Sequence, residues 1–273
     1  DEPISDVYID ITVASIRFET SETDEVRVVY DGPESEMDDP KVTTSFQNGR
    51  LEIHEARPKR ILFTNYLTEN KSLTVYLPAD FDGMLECTVV SGGISANRDF
   101  DLANIYLKST SGNINIQEIQ ASSIYIKGTS GNMSAGRLEA DSVDVLLVSG
   151  SIRIQHFDGQ GEIKSTSGVI SVDNYSGGGE VTSVSGSVRL GLIDMTDNLS
   201  IATTSGSVDV TVINPDLSAY CDFSTTTGSI NTYFAQSEQH VVSSSLNTTM
   251  GENPEYQFNI KVTSGSIGVS GPA

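Results

Sequence analysis

Two tyrosines, Tyr106 and Tyr125, stand nineteen residues apart, and each is followed two residues later by a lysine, Lys108 and Lys127. If the two segments lie side by side as strands, the phenol rings stack and the ammonium groups line up beside them, about 4.8 Å apart. A tyrosine offers an apolar ring and a hydroxyl, so such a platform suits a sugar ring. The bland alternative is a cross-strand pair that only supports its sheet. Three acids recur in the same manner, Asp144, Glu162 and Glu180, at intervals of eighteen. In register they form a ladder of carboxylates that raises the pKa of its members or draws in a hard cation such as calcium. With Lys164 beside it, the ladder also resembles the acid pair of a polysaccharide-cleaving enzyme; otherwise it is a solvated face. The acidic run from Glu34 to Asp39 is a second calcium candidate. No other cofactor is expected.

Catalytic constellations are otherwise scarce. The three histidines, His54, His156 and His240, are far apart, and none stands at a metal-ligand spacing from another His or Cys. There is no G-x-S-x-G nucleophile elbow. The chain therefore reads as non-enzymatic.

The elements that position these residues come from a repeat. Thr-Ser-Gly, a polar residue and an apolar one occur at 110–114, 129–133, 204–208 and 263–267, within a series of nine glycines at 92, 112, 131, 150, 168, 186, 206, 228 and 265. Aligned on that glycine, the position two after it is Ile, Val or Met in every unit, from Ile94 to Ile267. The position five before it is also apolar throughout, from Cys87 to Ile260. The neighbours of both columns are mostly polar. Period-two alternation on each side of a glycine corner reads as strand, bend, strand with one buried face. A unit of 18 to 22 residues cannot bury its stripe alone, so the units must stack. The expected fold is all-β, a right-handed parallel β-helix or β-solenoid with one such unit per coil. An antiparallel sandwich with turns every 8 to 12 residues is the alternative. Glycine suits a corner that needs positive φ, and the Ser and Thr before it can cap the corner amides.

The gap of 37 between Gly228 and Gly265 is about two periods, and predicts a degenerate coil near 236–253 with Asn247 in the glycine position and Val242 in the buried column. Residues 83–273 are thus expected to be solenoid. Residues 1–82 lack the repeat but contain alternating runs at 7–13, 26–30 and 50–54, and are expected to form an irregular β cap continuous with the first coil.

These motifs resemble the putative adhesin domain family, a bacterial domain of unknown function built on T-S-G-x-I turns. The strand from Leu73 to Pro78, followed by Cys87 to Ile94, is similar to that family's entry into its solenoid. The resemblance implies a β-solenoid that is exported or membrane-tethered, and brings no catalytic residues to this chain.

Charge narrows the partners. Residues 1–82 hold 18 acidic and 8 basic residues, and the remainder hold 19 and 8, so the net charge of −21 is spread along the chain. Such a field repels nucleic acid and anionic lipid. The run Arg57-Pro58-Lys59-Arg60 is the basic exception. Cys87 and Cys221 fall in apolar columns about seven coils apart, beyond disulfide reach, and are expected to be buried thiols. No apolar run is long enough to span a bilayer, so any membrane contact would run through a signal or anchor removed upstream of Asp1. Three function classes result: a cell-surface scaffold that binds a glycan or protein, a carbohydrate-active β-helix enzyme, and a self-assembling or envelope-sensing structural domain.

Overall fold

The structure, a computed structural model, describes residues 3–32, 42–55, 71–234, 237–241 and 244–271, with the backbone alone for 234 and 237–241. The run from Glu34 to Asp39, the basic run 57–60 and Val242 lie outside the described residues. Two compact units divide the chain, Asp1–Gly131 and Asn132–Ala273.

Each unit is a β-solenoid whose coils are strand, glycine corner, strand. All the residues two after the glycine are buried, and so are all those five before it. The nine corner glycines have φ between 119° and 157°. The corner amides are satisfied differently from expectation. Seven of the nine glycine N–H groups donate to the backbone carbonyl of the Ser or Thr before the neighbouring corner, as from Gly112 to Ser130 at 3.0 Å and from Gly168 to Ser185 at 3.1 Å. Stacking leaves a main-chain acceptor in place for these glycines, while the amide that follows the glycine takes a side-chain oxygen at Gly93 (Ser15 Oγ, 3.3 Å) and at Ser151 (Asn132 Oδ1, 2.9 Å).

The first unit contains β1 (Asp6–Ile11), β2 (Ser15–Thr20), β3 (Arg27–Asp31), β4 (Val42–Gln47), β5 (Arg50–Glu55), β6 (Ser72–Leu77), β7 (Met84–Ser91), β8 (Ile94–Ala96), β9 (Phe100–Ser111) and β10 (Ile114–Ser130). Parallel ladders run in the order β5, β1, β7, β9, β10 on one face and β6, β2, β8, β10 on the next. The strands that come first in sequence are therefore second in the stack. The outermost coil, β5 and β6, is covered by antiparallel β4 and β3. The β4–β5 hairpin turns at Asn48 and Gly49, whose φ values of 53° and 74° suit a type I′ turn.

The second unit contains β11 (Met133–Ser149), β12 (Ile152–Ser167), β13 (Ile170–Ser185), β14 (Val188–Ser205), β15 (Val208–Val212), β16 (Ala219–Thr227), β17 (Ile230–Phe234), β18 (Ser237–Val241), β19 (Ser245–Met250), β20 (Tyr256–Ser264) and β21 (Ile267–Ser270). Strands β11 to β14 stack in sequence order. Then the order changes. β14 pairs with β20, and β20 with β16; β15 pairs with β21, and β21 with β17. The Gly265 coil thus lies between those of Gly206 and Gly228. The amide ladder follows space and not sequence, from Gly206 to Ser264 and from Gly265 to Thr227.

The coil expected around Asn247 is not a parallel coil. β19 runs antiparallel along β16, with Asn247 opposite Asp222, and β18 runs antiparallel along β17. Among the described residues positive φ outside glycine occurs only at Asn48 and Asn253. β18 and β19 cover the otherwise exposed edges of β17 and β16 in the outermost coil, as antiparallel strands on short connections can.

Both cysteines are free and buried, Cys87 fully and Cys221 at 3% exposure. Burial pushes the Cys87 thiol upward and that of Cys221 to about 12. A folded-state pKa above the unfolded value of about 9 contributes stability that is complete below pH 9 and lost as pH rises toward 12, at up to about 1.4 kcal/mol per pH unit for each thiol. Urea unfolding at pH 8, 9.5 and 11 should therefore show falling midpoints, with a shallower fall for Cys221→Ala. Equal slopes for the two proteins would place the alkaline sensitivity elsewhere.

Candidate functional surface

Strands β9 and β10 position the tyrosine and lysine pairs. Leu107 and Ser109 point inward and are buried, so Tyr106 and Lys108 point outward; Ile124 and Ile126 do the same for Tyr125 and Lys127. Parallel register places Tyr125 beside Tyr106 and Lys127 beside Lys108. The two rings stack with centroids 4.7 Å apart and planes 3° from parallel. They face each other along the stacking direction, so what they turn to solvent is ring edge and hydroxyl. Partial burial, then Tyr125 and Glu86 nearby, raise the Tyr106 phenol above its usual pKa, so it remains a hydrogen-bond donor at neutral pH. Among the described residues, neither Lys108 nor Lys127 forms an ion pair. The site therefore offers two phenol hydroxyls and two unneutralised ammonium groups in a flat row.

The carboxylate row is in register as well: Asp144 pairs with Glu162 and Glu162 with Glu180. Two of its members already have partners. The Glu162 amide donates to Asp144 Oδ1 at 3.1 Å, and Lys164 Nζ lies 3.2 Å from Glu162 Oε1. Among the described residues no group of three His, Cys, Asp or Glu side chains is placed to hold a metal ion.

Three features escaped the sequence reading. The first is a polar cluster on β1 and β5. Glu52 lies between Arg50 at 3.2 Å and His54 at 3.4 Å, and the Tyr8 ring has the Arg50 guanidinium 4.9 Å from its centroid and the His54 ring 5.5 Å away. The alternation of Arg50, Glu52 and His54 was the available signal. The second is a buried hydroxyl column three residues before the glycines: Ser109, Ser165, Ser183, Thr203 and Thr225. Ser109 donates to the Gly92 carbonyl at 3.2 Å, Thr203 to Gly186 and Thr225 to Gly265, each across one rung of the stack. The third is Arg98, 7% exposed, whose guanidinium donates to the carbonyls of Leu77 (2.8 Å), Pro78 (3.0 Å) and Asp99 (3.1 Å). Nothing in the local sequence marks that arginine as buried. Of the histidines, His54 touches Glu52 and Tyr8, His156 lies exposed on β12, and His240 falls in β18, described by its backbone alone.

A family model described as Toastrack DUF4097 matches residues 4–270. The chain belongs to the Toastrack DUF4097 family. Among curated protein sequences none matches it significantly. Solved structures similar to this Toastrack chain include a putative cell adhesion protein from Clostridium sporogenes, 9% identical, covering 99% of this chain and 94% of that one with a TM-score of 0.34. Another is a putative adhesin from Bacteroides fragilis, 12% identical, covering 99% and 93%, with a TM-score of 0.43. A putative lipid binding protein from Parabacteroides distasonis is 12% identical and covers 100% and 94%, with a TM-score of 0.45. Among the described residues of the Toastrack chain, no helix is long and apolar enough to cross a membrane.

Proposed function

We propose that this protein is an exported, non-enzymatic scaffold of the bacterial cell envelope that binds a glycan or protein partner on the β9–β10 face of its first unit. The observation that carries this reading is the stacked Tyr106–Tyr125 pair with Lys108 and Lys127 in register beside it. In a chain of net charge −21, two adjacent lysines that pair with no acid among the described residues are out of keeping with a merely solvated acidic surface. Hydroxyl edges and ammonium groups bond sugar hydroxyls, carboxylates and backbone carbonyls, and a solenoid holds them at fixed spacing, so little ordering entropy is lost on binding.

The test is a glycan array together with capture of surface-protein extracts on the purified chain, compared with Tyr106→Ala/Tyr125→Ala. Loss of the two phenols should weaken binding at least about tenfold, the loss of two hydrogen bonds and their contact area. Unchanged binding in the double variant would remove this face from the reading. Calcium at Asp144, Glu162 and Glu180 is tested alongside: a calcium-induced rise in melting temperature that disappears in the triple alanine variant would bring the row into the site, and no rise would leave it an ion-paired face.

A further inference from the structure

The face that carries the tyrosines is the ladder β5, β1, β7, β9, β10, and one patch covers its last four strands. One outward column reads Tyr8, Glu86, Tyr106, Tyr125 across β1, β7, β9 and β10, and the adjacent column carries Asp10 and Thr88 ahead of Lys108 and Lys127. The formal charges of these two columns sum to zero, two carboxylates against two ammonium groups, and Asp6 in the flanking column leaves the patch at −1, in a molecule of net charge −21. The charges are also sorted: acids on β1 and β7, lysines on β9 and β10.

We propose that this face binds the same face of a second copy of the chain, an inference that rests on its being the protein's binding surface. Copies of a strongly acidic molecule repel each other over most of their surface and can approach where the charge nearly cancels. A two-fold axis parallel to the strands, midway between β7 and β9, places β1 opposite β10 of the partner and β7 opposite its β9. Asp10 then faces the partner's Lys127, Glu86 faces the partner's Tyr106 with Lys108 in the next column, and Tyr8 faces the partner's Tyr125. Because the contact is isologous, every pairing occurs twice. The alternative axis, along the stacking direction, would set lysines against lysines and is disfavoured by the same sorting. Tyrosine is enriched in such interfaces. Four strands at about 4.8 Å and six residues at about 3.3 Å give a patch on the order of 400 Å² per partner. That is half of a standard interface, so the dimer is weak and rapidly exchanging.

Sedimentation velocity on the full chain, from low micromolar to about 0.1 mM, reads the association directly. The wild type should dimerise with an affinity that falls as salt is raised. Asp10→Lys and Lys127→Glu should each weaken association at least tenfold, since each places like charges opposite one another twice. An equimolar mixture of the two variants should recover a dimer, because the mixed pair restores opposite charges at both contacts. Circular dichroism of each variant separates this from unfolding. A wild type that stays monomeric throughout, or a mixture no more associated than its separate components, overturns the inference. If the wild type is monomeric but Tyr106 and Tyr125 still govern glycan or protein capture, this inference fails alone; if they govern neither, the proposed binding face fails with it.

Discussion

Gly168→Val is expected to destabilise the second unit by about 4 kcal/mol or more, lowering its melting temperature by roughly 10 °C. Two costs coincide at this corner. Gly168 has φ of 136°, a conformation that a residue with a side chain adopts only under strain. A Cβ there would also run into the carbonyl oxygen of Gly150 on the neighbouring coil, and that oxygen is main chain, in a residue whose own N–H is bonded to the Ser167 carbonyl oxygen. Because the obstacle meets Cβ itself, Gly168→Ala should lose most of the same stability. Gly131→Val is expected to behave likewise in the first unit, where φ is 119° and the obstacle is the Gly112 carbonyl. Gly268→Ala is the control: its Cβ would meet only the carboxylate end of Asp209, which can swing away, so the change should stay within about 0.5 kcal/mol. Thermal unfolding followed by circular dichroism checks all four. A Gly168→Val protein that melts with the wild type would refute the corner geometry.

Arg98→Met should cost about 3 kcal/mol, from loss of the one cation that holds three backbone carbonyls. Leu77 ends β6, Pro78 follows it and Asp99 immediately precedes β9, so the guanidinium ties the exit of one coil to the entry of another. Burial lowers the Arg98 pKa from its usual value, against the pull of the nearby Asp99 carboxylate, a measure of what the charge already sacrifices in hydration. Methionine fills similar volume and stacks against Phe100 as the arginine does at 5.5 Å, which isolates the polar contribution. Arg98→Lys keeps the charge but not the fork of donors, and is expected to recover less than half of the loss. If Met proved as stable as Arg, the three hydrogen bonds would be doing no more than repaying desolvation.

What could be read from the sequence was whatever depends on distance along the chain. The columns two after and five before the glycine are period-two patterns, and each of their eighteen members is buried. Tyr106 and Tyr125 share the spacing of Gly112 and Gly131, and Asp144, Glu162 and Glu180 that of Gly150, Gly168 and Gly186, so equal spacing carried register with it. Stacking order at the ends is a matter of non-local pairing, and sequence periodicity does not encode it. Asn247 sits at the right interval from both glycines yet lies in an antiparallel strand, because the outermost coil needs cover more than the stack needs another rung. The hydroxyl column from Ser109 to Thr225 was present in the sequence but looked like turn chemistry. In the solenoid those positions face inward, where three of the five bond a glycine carbonyl. Arg98 was invisible because its partners are carbonyls, which every residue has.

The displaced end coils bear on how the protein withstands force. In a stack that followed sequence order, tension on the last strand would peel one ladder at a time from an open edge. Here β21 is hydrogen-bonded to β15 on one side and β17 on the other, and β1 is held likewise between β5 and β7. A pull transmitted through either strand must shear two ladders together, within layers that are themselves covered. Each of these two strands is thus clamped along both of its edges, where the end strand of a sequential stack would be clamped along one.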